Sequence, residues 1–157
     1  MLIQLARPRD AAEILALQKL AYQSEAAIYD EFGIPPLTQT LDQMRADLAD
    51  QTCLKAAIDG RIVGSVRADL REGTCHVGRL VVHPGVQNQG VGTRLMNEIE
   101  SAFPGAVRFE LFTGHRSERN LYLYRKLGYR PFKQERVSDA LILIYLEKIQ
   151  SPQQRSG

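Results

Sequence analysis

A strand that leads into an amphipathic helix through a loop of amides and glycines constrains the fold of this 157-residue chain most strongly. The stretch runs from Leu80 to Glu100 and reads LVVHPGVQNQGVGTRLMNEIE. Its apolar start, Leu80-Val81-Val82, predicts a strand that is covered on both faces and is therefore central in a sheet. The helix that begins at Val91 turns one apolar face inward. That face carries Val91, Leu95, Met96, Ile99 and Phe103.

The segments on either side of this stretch predict a mixed sheet. Three strand-like runs precede it, and the turns between them, Asp59-Gly60 and Glu72-Gly73, favour tight hairpins. The strand-like segment Val107–Thr113 follows the helix, so strand, helix and strand form one right-handed crossover with parallel pairing. We therefore expect an α/β fold of the α+β type: a mostly antiparallel mixed sheet with one parallel crossover and helices on both faces.

The remaining segments supply the outer elements. Leu2–Ala6 alternates in polarity and predicts a first strand, and Asp10 is a candidate cap for a first helix that ends near Ser24. Ala26–Thr38 contains a glycine and two prolines, so we expect a broken but structured connection. Thr40 is then a candidate cap for the next helix. A short helix and a final antiparallel hairpin follow the crossover, over residues 117–128 and 129–148.

Length and composition indicate one globular domain. Hydrophobic residues make up 44% of the chain and charged residues 24%, which is ordinary for a protein that buries a core. We expect a single domain over residues 1–150 and a flexible tail over residues 151–157. The net charge of +2 comes from scattered residues, which argues against a nucleic-acid partner. No segment has the pattern of a secretion signal or a membrane span, so we expect a cytoplasmic protein without membrane contact.

The spacing of cysteines and histidines points away from a metal site. Cys53 and Cys75 form no C-x-x-C pair, and His76, His83 and His115 form no ligand pattern. We expect no bound metal, and we expect free thiols that are buried or half-buried.

The glycine loop fits two familiar nucleotide motifs poorly. A dinucleotide-binding fold needs a third glycine, where this chain has Leu95, and it places its loop early in a βαβ unit rather than after a meander. A P-loop needs Gly-Lys followed by Ser or Thr, and the chain has no such sequence. On the loop alone, a close packing turn is a better interpretation than an anion site.

Two motifs together make the sequence similar to the GCN5-related N-acetyltransferase (GNAT) superfamily. The loop Gln87–Gly92 has the form Q-x-x-G-x-G, and Tyr124–Tyr129 has the form Y-x-K-x-G-Y. The resemblance implies acetyl-CoA as cosubstrate, with its pyrophosphate on the amides of Asn88–Thr93. Its acetyl and pantetheine part would lie along the Leu80–Val82 strand, where a backbone N–H near Val82 would stabilise the oxyanion. The residues implied in cofactor binding are Leu80, Val81, Val82, Gln87, Asn88, Gln89, Gly90, Val91, Gly92, Thr93, Ser117 and Tyr124.

The resemblance also implies roles on the helix that follows. Tyr124 stands where the superfamily carries its general acid, four residues before Gly128, and would protonate the leaving thiolate. The neighbouring Tyr122 and Tyr129 are expected to pack on the sheet. Ser117 stands where the superfamily often has an asparagine that contacts the cofactor. A serine there can bond the cofactor or cap the helix.

The general base has no counterpart at the position that some relatives use. Those relatives carry a glutamate on the fifth strand, and this chain has Phe112 there. His76 shares the strand parity of Leu80 and Val82, which makes it a candidate base that faces the acceptor. A solvent-exposed strand histidine is an equally good interpretation. Glu110 is interpreted as a structural residue.

The resemblance also implies that the broken segment lies over the acceptor site. Glu25, Asp30 and Glu31 lie there among aromatic residues. An acidic, aromatic-lined mouth would attract a cationic amine, although a solvated acidic turn explains the same residues. The candidate acceptor-binding residues are Glu25, Tyr29 and Asp30.

The resemblance thus predicts an N-acetyltransferase that moves an acetyl group from acetyl-CoA to a primary amine. The acceptor would be a small molecule or a peptide, and it would attack directly in a ternary complex. A non-catalytic sensor or regulatory protein that binds CoA or acyl-CoA is the alternative, favoured by the missing asparagine. Exposed sheet edges are compatible with a homodimer.

Overall fold

The computed structural model describes residues 1–151, so most of the predicted flexible tail, residues 152–157, lies outside it. Within the described residues, seven strands form one mixed sheet and five α-helices pack around it. The strands are β1 (Leu2–Leu5), β2 (Thr52–Ile58), β3 (Arg61–Arg71), β4 (Thr74–Val82), β5 (Arg108–Gly114), β6 (Arg130–Arg136) and β7 (Ile142–Ile149). The helices are α1 (Ala11–Tyr29), α2 (Pro35–Thr38), α3 (Leu41–Asp50), α4 (Val91–Ser101) and α5 (Glu118–Lys126). The order across the sheet is β1-β2-β3-β4-β5-β7-β6.

Two tight turns hold the antiparallel half of the sheet. Between β2 and β3, Asp59 and Gly60 have φ of 52° and 81°, and between β3 and β4, Glu72 and Gly73 have φ of 51° and 81°. Two successive residues with positive φ are typical of the type I′ turn, whose twist matches antiparallel strands. The predicted meander is confirmed, and so is the single parallel pairing, between β4 and β5.

β4 and β5 separate near their middle. Their parallel pairing ends where His76 lies opposite Glu110. β4 continues to Val82 and β5 to Gly114, so the rest of each strand lines a gap. The predicted central position of the Leu80–Val82 strand is confirmed, since three strands lie on each side of β4.

A β-bulge bends β4 at the start of this gap. Gly78 pairs with Arg67 of β3, and the next pair joins Val81 to Ser65, so two residues of β4 oppose one residue of β3. Within the bulge, Arg79 has φ of 52°, a left-handed conformation that is uncommon for a residue with a side chain. A bulge re-aims the side chains of its strand.

Helices cover both faces of the sheet, as predicted. One hydrophobic cluster joins α1 and α3 to the sheet through Ile14, Leu17, Met44 and Leu48. A second cluster joins α4 and α5 to the other face through Leu95, Met96, Ile99 and Tyr124. Each fully buried aliphatic side chain contributes about 1.5–3 kcal/mol. This packing holds the N-terminus of α4 at the end of β4.

The first helix is longer than predicted. It continues past Ser24 to Tyr29, and Asp30 ends it with φ of 51°. The sequence between Ser24 and Tyr29 contains no glycine or proline, so nothing local stops the helix before a left-handed residue does. The prediction that a broken connection begins at Ala26 was therefore wrong.

The two predicted caps have different outcomes. Thr40 caps α3, because its Oγ1 accepts from the Gln43 N–H at 3.2 Å while Gln43 Oε1 accepts from the Thr40 N–H at 3.0 Å. Asp10 makes no capping hydrogen bond to α1. Its carboxylate instead accepts from the Arg7 N–H at 2.9 Å and forms an ion pair with Lys55 at 2.9 Å.

Candidate active site

The N-terminus of α4 leaves its first backbone donors without helical partners. Gly90 precedes the helix with φ of 81°, and Asn88 in the loop has φ of 64°. The first helical hydrogen bond is the one that the Arg94 N–H donates to Gly90 O at 3.0 Å. The N–H groups of Val91–Thr93 come before this bond, and the helix offers them no carbonyl one turn earlier as an acceptor. These donors carry the positive end of the helix dipole and suit an anion.

A groove of about 800 Å³ begins at these donors and runs along the end of β4. The loop, the Leu80–Val82 segment, α1 and α5 form its walls. Gly92 lies at a narrow point, because a Cβ there would be 3.3 Å from Leu123 Cδ2 of α5. Gln87 and Asn88 line the groove, whereas Gln89 is exposed and does not.

The end of β4 offers a backbone donor at the gap. The His83 N–H donates to Val63 O of β3 at 2.7 Å. Successive N–H groups of a strand point to opposite edges, so the Val82 N–H points to the edge from which β5 has separated. A carbonyl oxygen in the groove can accept from it.

A second space, which we call the acceptor cavity, has a volume of about 670 Å³. Its walls come from α1, from β4 and β5 beside the gap, and from the hairpin of β6 and β7. Tyr22, Glu25, Leu80 and Asn120 line both spaces. The groove and the acceptor cavity therefore meet where β4 and β5 separate.

Tyr124 of α5 lies in the wall of the acceptor cavity. Its side chain is 5% exposed. Burial, and then the neighbouring Tyr22 and Glu25, raises the pKa of its hydroxyl well above the ordinary value of 10. The hydroxyl therefore stays protonated at neutral pH and can donate a hydrogen bond. Of its neighbours, Tyr129 is buried as predicted, but the packing predicted for Tyr122 was wrong, because that side chain is 70% exposed.

His76 and Glu110 face each other in the same cavity. His76 Nδ1 lies 3.7 Å from Glu110 Oε2, which is too long for a hydrogen bond but close enough for an electrostatic influence. The other carboxylate oxygen, Oε1, accepts from Arg108 Nη1 at 2.9 Å. His76 is half-buried and lines the cavity. Glu110, interpreted from the sequence as structural, lines the cavity too.

Ser117 and Tyr29 join α1 to the start of α5. Ser117 is buried, and its Oγ donates to Glu25 Oε2 at 2.5 Å and lies 2.8 Å from Tyr29 Oη. The Tyr29 hydroxyl also accepts from the Arg116 N–H at 2.8 Å. Ser117 makes no side-chain capping hydrogen bond to α5, so of the two alternatives for this serine the helix cap is wrong. Its hydroxyl is engaged with protein atoms.

The structure separates the predicted acceptor-binding residues. Glu25 lines both spaces, and Tyr29 lies in the wall of the acceptor cavity. Asp30 is exposed and does not line the cavity. Its left-handed backbone ends α1 and turns the chain, so Glu31 rather than Asp30 reaches the cavity wall. Asp30 therefore lies outside the cavity wall, and its role at the acceptor site stays a prediction.

Sequence reasoning missed several polar residues of the acceptor cavity, among them Arg67, Arg79 and Asn120. Arg67 is 8% exposed and forms an ion pair with Asp47 at 3.0 Å. The Arg79 guanidinium donates to Gln39 Oε1 at 3.1 Å. The available signal was the presence of arginines inside otherwise apolar strands, where charged side chains are rarely buried without a reason.

Cys53 and Cys75 are buried free thiols, as predicted. Burial raises the pKa of each thiol from 9.0 to about 12, so neither is a ready nucleophile. Neither cysteine lines the groove or the acceptor cavity. Within residues 1–151, no three His, Cys, Asp or Glu side chains are grouped to hold a metal ion. No helix in the same range is long and apolar enough to cross a membrane.

The model of the acetyltransferase (GNAT) domain family matches residues 49–131, which is more than half of the chain. The chain belongs to the GNAT family. The GNAT match runs from the end of α3 to the start of β6. It includes the glycine loop, α4 and Tyr124, so the resemblance drawn from the two motifs is confirmed.

Solved structures share the GNAT fold. PaiA N-acetyltransferase from Thermoplasma acidophilum, solved in complex with coenzyme A, is 16% identical with a TM-score of 0.80, over 96% of this chain and 100% of that one. YncA from Salmonella typhimurium, solved with its cofactor acetyl-CoA, is 19% identical with a TM-score of 0.75, over 95% and 93%. Because these sequence identities are low, the similarity establishes the fold alone.

A curated relative is longer than this chain. The UPF0157 protein YqkA of Bacillus subtilis (strain 168) is 26% identical over 133 residues, which are 85% of this chain. The matched region spans 38% of that relative's length.

Proposed function

We propose that this protein transfers an acetyl group from acetyl-CoA to a primary amine, by direct attack of the amine in a ternary complex. The observation that carries the proposal is the meeting of the groove and the acceptor cavity at the gap between β4 and β5. The groove ends at the unpaired backbone donors of α4, and the cavity contains Tyr124 and His76. Two substrates held in these spaces would meet beside the Val82 N–H.

The residues that line the groove fit an acyl-CoA. The donors of Val91–Thr93 suit a diphosphate. Gly90 has φ of 81° and open space at its Cβ position, so no protein atom fills the cradle there. Arg116, Arg119 and Lys126 add positive charge along the groove. Acetyl-CoA supplies the activated thioester, and the groove supplies its position.

Two donors, one from the groove and one from the acceptor cavity, would stabilise the charge that develops during transfer. The Val82 N–H suits the negative charge on a carbonyl oxygen. The Tyr124 hydroxyl, kept protonated by its raised pKa, suits the negative charge on a departing sulfur. With this raised pKa, Tyr124 is a weaker acid than a free tyrosine. Its main contribution is therefore a hydrogen bond that strengthens as the sulfur gains charge.

The acceptor amine must lose a proton before or during attack. His76 is our candidate base, because it lines the acceptor cavity beside Glu110. A carboxylate near Nδ1 favours the tautomer that carries its proton there, which leaves Nε2 free to accept. Direct attack requires no enzyme nucleophile, in agreement with the position of both cysteines away from the cavity.

Two measurements on one preparation test this function. Isothermal titration with acetyl-CoA is expected to show binding, and thiol release against a panel of amines is expected to depend on the acceptor. Initial rates with both substrates varied should give the intersecting lines of a ternary complex. Binding without turnover on any amine would favour a CoA sensor, which the engaged Ser117 hydroxyl also favours. Absence of acetyl-CoA binding would overturn both functions.

A further inference from the structure

The acceptor cavity holds a positive charge that the protein does not neutralise directly. Arg79 lies in the cavity wall, and its Nη1 donates to Gln39 Oε1 at 3.1 Å. The Gln39 amide is neutral. Among residues 1–151, the ion pairs do not include Arg79.

The carboxylate that could neutralise Arg79 through Gln39 is Asp47, and it already forms an ion pair with another arginine. Asp47 forms an ion pair with the buried Arg67 at 3.0 Å and accepts from Gln39 Nε2 at 2.5 Å. It therefore reaches Arg79 only through the amide of Gln39. Burial and then the proximity of Arg67 lower the pKa of the Arg79 guanidinium. Arg67 thus has a carboxylate in direct contact, whereas Arg79 has only the amide of Gln39.

This arrangement is unfavourable for the protein alone. Arg79 is half-buried, and a charge removed from water without a counter-ion destabilises a fold. Arg79 also has the left-handed φ of 52°. The surrounding contacts nevertheless hold it in place. Gln18, which is 1% exposed, donates its Nε2 to Gln39 Oε1 at 2.9 Å, so the acceptor of the Arg79 bond is itself fixed. An anion in the cavity would supply the missing partner.

We propose that Arg79 binds a carboxylate of the acceptor, so that the substrate is a primary amine that also carries a carboxylate, such as a free amino acid. This inference rests on the proposed acetyl transfer. A guanidinium binds a carboxylate through two parallel hydrogen bonds, which fixes orientation as well as position. His76 and Arg79 line the same cavity, so one small molecule can present its amine to the first and its carboxylate to the second.

The test compares matched acceptors on matched variants. The acceptors are the common amino acids, each paired with its carboxamide, together with short peptides that separate free amino acids from C-terminal carboxylates. Among the accepted pairs, we expect kcat/KM to be at least tenfold higher for the acid than for the amide. Arg79→Gln should remove this preference by raising KM for the acid, while KM for acetyl-CoA stays unchanged. Arg79→Lys should keep part of it, and Arg61→Gln, at an exposed site outside the cavity, should keep all of it.

The outcomes separate this inference from the proposed function. Turnover with equal kcat/KM for acids and amides would overturn the role of Arg79 and leave acetyl transfer standing. If none of the acceptors supports thiol release, the proposed function is overturned. Titration of amino acids into acetyl-CoA-saturated protein would then test whether Arg79 binds a carboxylate. Binding that Arg79→Gln abolishes supports the site, and absence of binding overturns it. If Arg79→Gln does not fold, the comparison of acid and amide on the wild type decides alone.

Discussion

The Tyr29 hydroxyl of α1 occupies the space that a side chain at Gly114 of β5 would need. A Cβ on Gly114 would clash with the end of the Tyr29 ring and would lie 3.0 Å from Ser117 Oγ. Tyr29 is not free to move aside, because its hydroxyl accepts from the Arg116 N–H and bonds to Ser117. The close packing of α1 beside the acceptor cavity therefore depends on a glycine at residue 114.

Gly114→Ala should destabilise the protein through this clash. We expect the free energy of unfolding to fall by about 1–3 kcal/mol, the usual range for overpacking, in denaturant titrations. Tyr29→Phe alone should cost about 1 kcal/mol, since it removes buried hydrogen bonds. In the double variant the missing hydroxyl relieves part of the clash. The loss of unfolding free energy in the double variant should therefore be smaller than the sum of the losses in the two single variants. Fully additive losses would show that Tyr29 is not the obstacle.

Tyr124→Phe tests the hydrogen-bond donor at the sulfur. The change removes only the hydroxyl, so kcat should fall roughly 100-fold while the Kd for acetyl-CoA stays within about threefold of the wild type. Because burial raises the pKa of Tyr124, the donor is present below that pKa and is lost only as pH rises through it. The wild-type kcat should therefore show no loss attributable to Tyr124 up to about pH 10. An unchanged kcat in the variant would remove Tyr124 from the mechanism.

His76→Gln tests the base. We expect kcat/KM for the acceptor to fall roughly 10- to 100-fold at neutral pH. The loss should shrink as pH rises, because more of the amine is then already deprotonated in solution. Glu110→Gln should give a smaller loss with the same pH trend, since Glu110 acts on His76 rather than on the amine. A pH-independent loss in His76→Gln would indicate a structural role for this histidine.

Cys53→Ala and Cys75→Ala should each retain activity, because direct attack uses no thiol. The same variants test alkaline stability. Both thiols have a pKa raised to about 12 in the folded protein, so the stability they contribute is complete below about pH 9 and is lost as pH rises towards 12. The loss for each thiol is at most about 1.4 kcal/mol per pH unit. The double variant should therefore show a shallower decline than the wild type between pH 9 and 10, and an identical decline would contradict the shifted pKa values.

The parts of the fold that the sequence predicts correctly depend on short-range chemistry. The turns at Asp59-Gly60 and Glu72-Gly73 need two successive positive φ angles, which glycine and its acidic neighbour adopt readily. The apolar face of α4 repeats at helical spacing within a single segment. Each signal lies within a few residues of the element that it specifies.

The parts that were missed depend on contacts between distant segments. The bulge at Arg79 arises from the register of β4 against β3, and no local pattern indicates it. Gln39, which accepts from that arginine, and Asp47, which accepts from Gln39, come from the α2–α3 region. Similarly, the position at which α1 ends decides that Glu31 rather than Asp30 lines the cavity. The motifs therefore indicate the cofactor side of the site far better than the acceptor side.

Calorimetric titration of acetyl-CoA into Gly90→Asp and Gly90→Asn tests the central claim most directly, that the start of α4 binds a diphosphate. Both side chains have nearly the same shape, both tolerate the left-handed φ of 81° better than most residues, and the Cβ position is open. Only aspartate adds a negative charge, which would repel the diphosphate. We predict that Gly90→Asp weakens binding at least about 100-fold, while Gly90→Asn stays within about tenfold of the wild type. Equal affinity of the wild type and both variants for acetyl-CoA would contradict the claim.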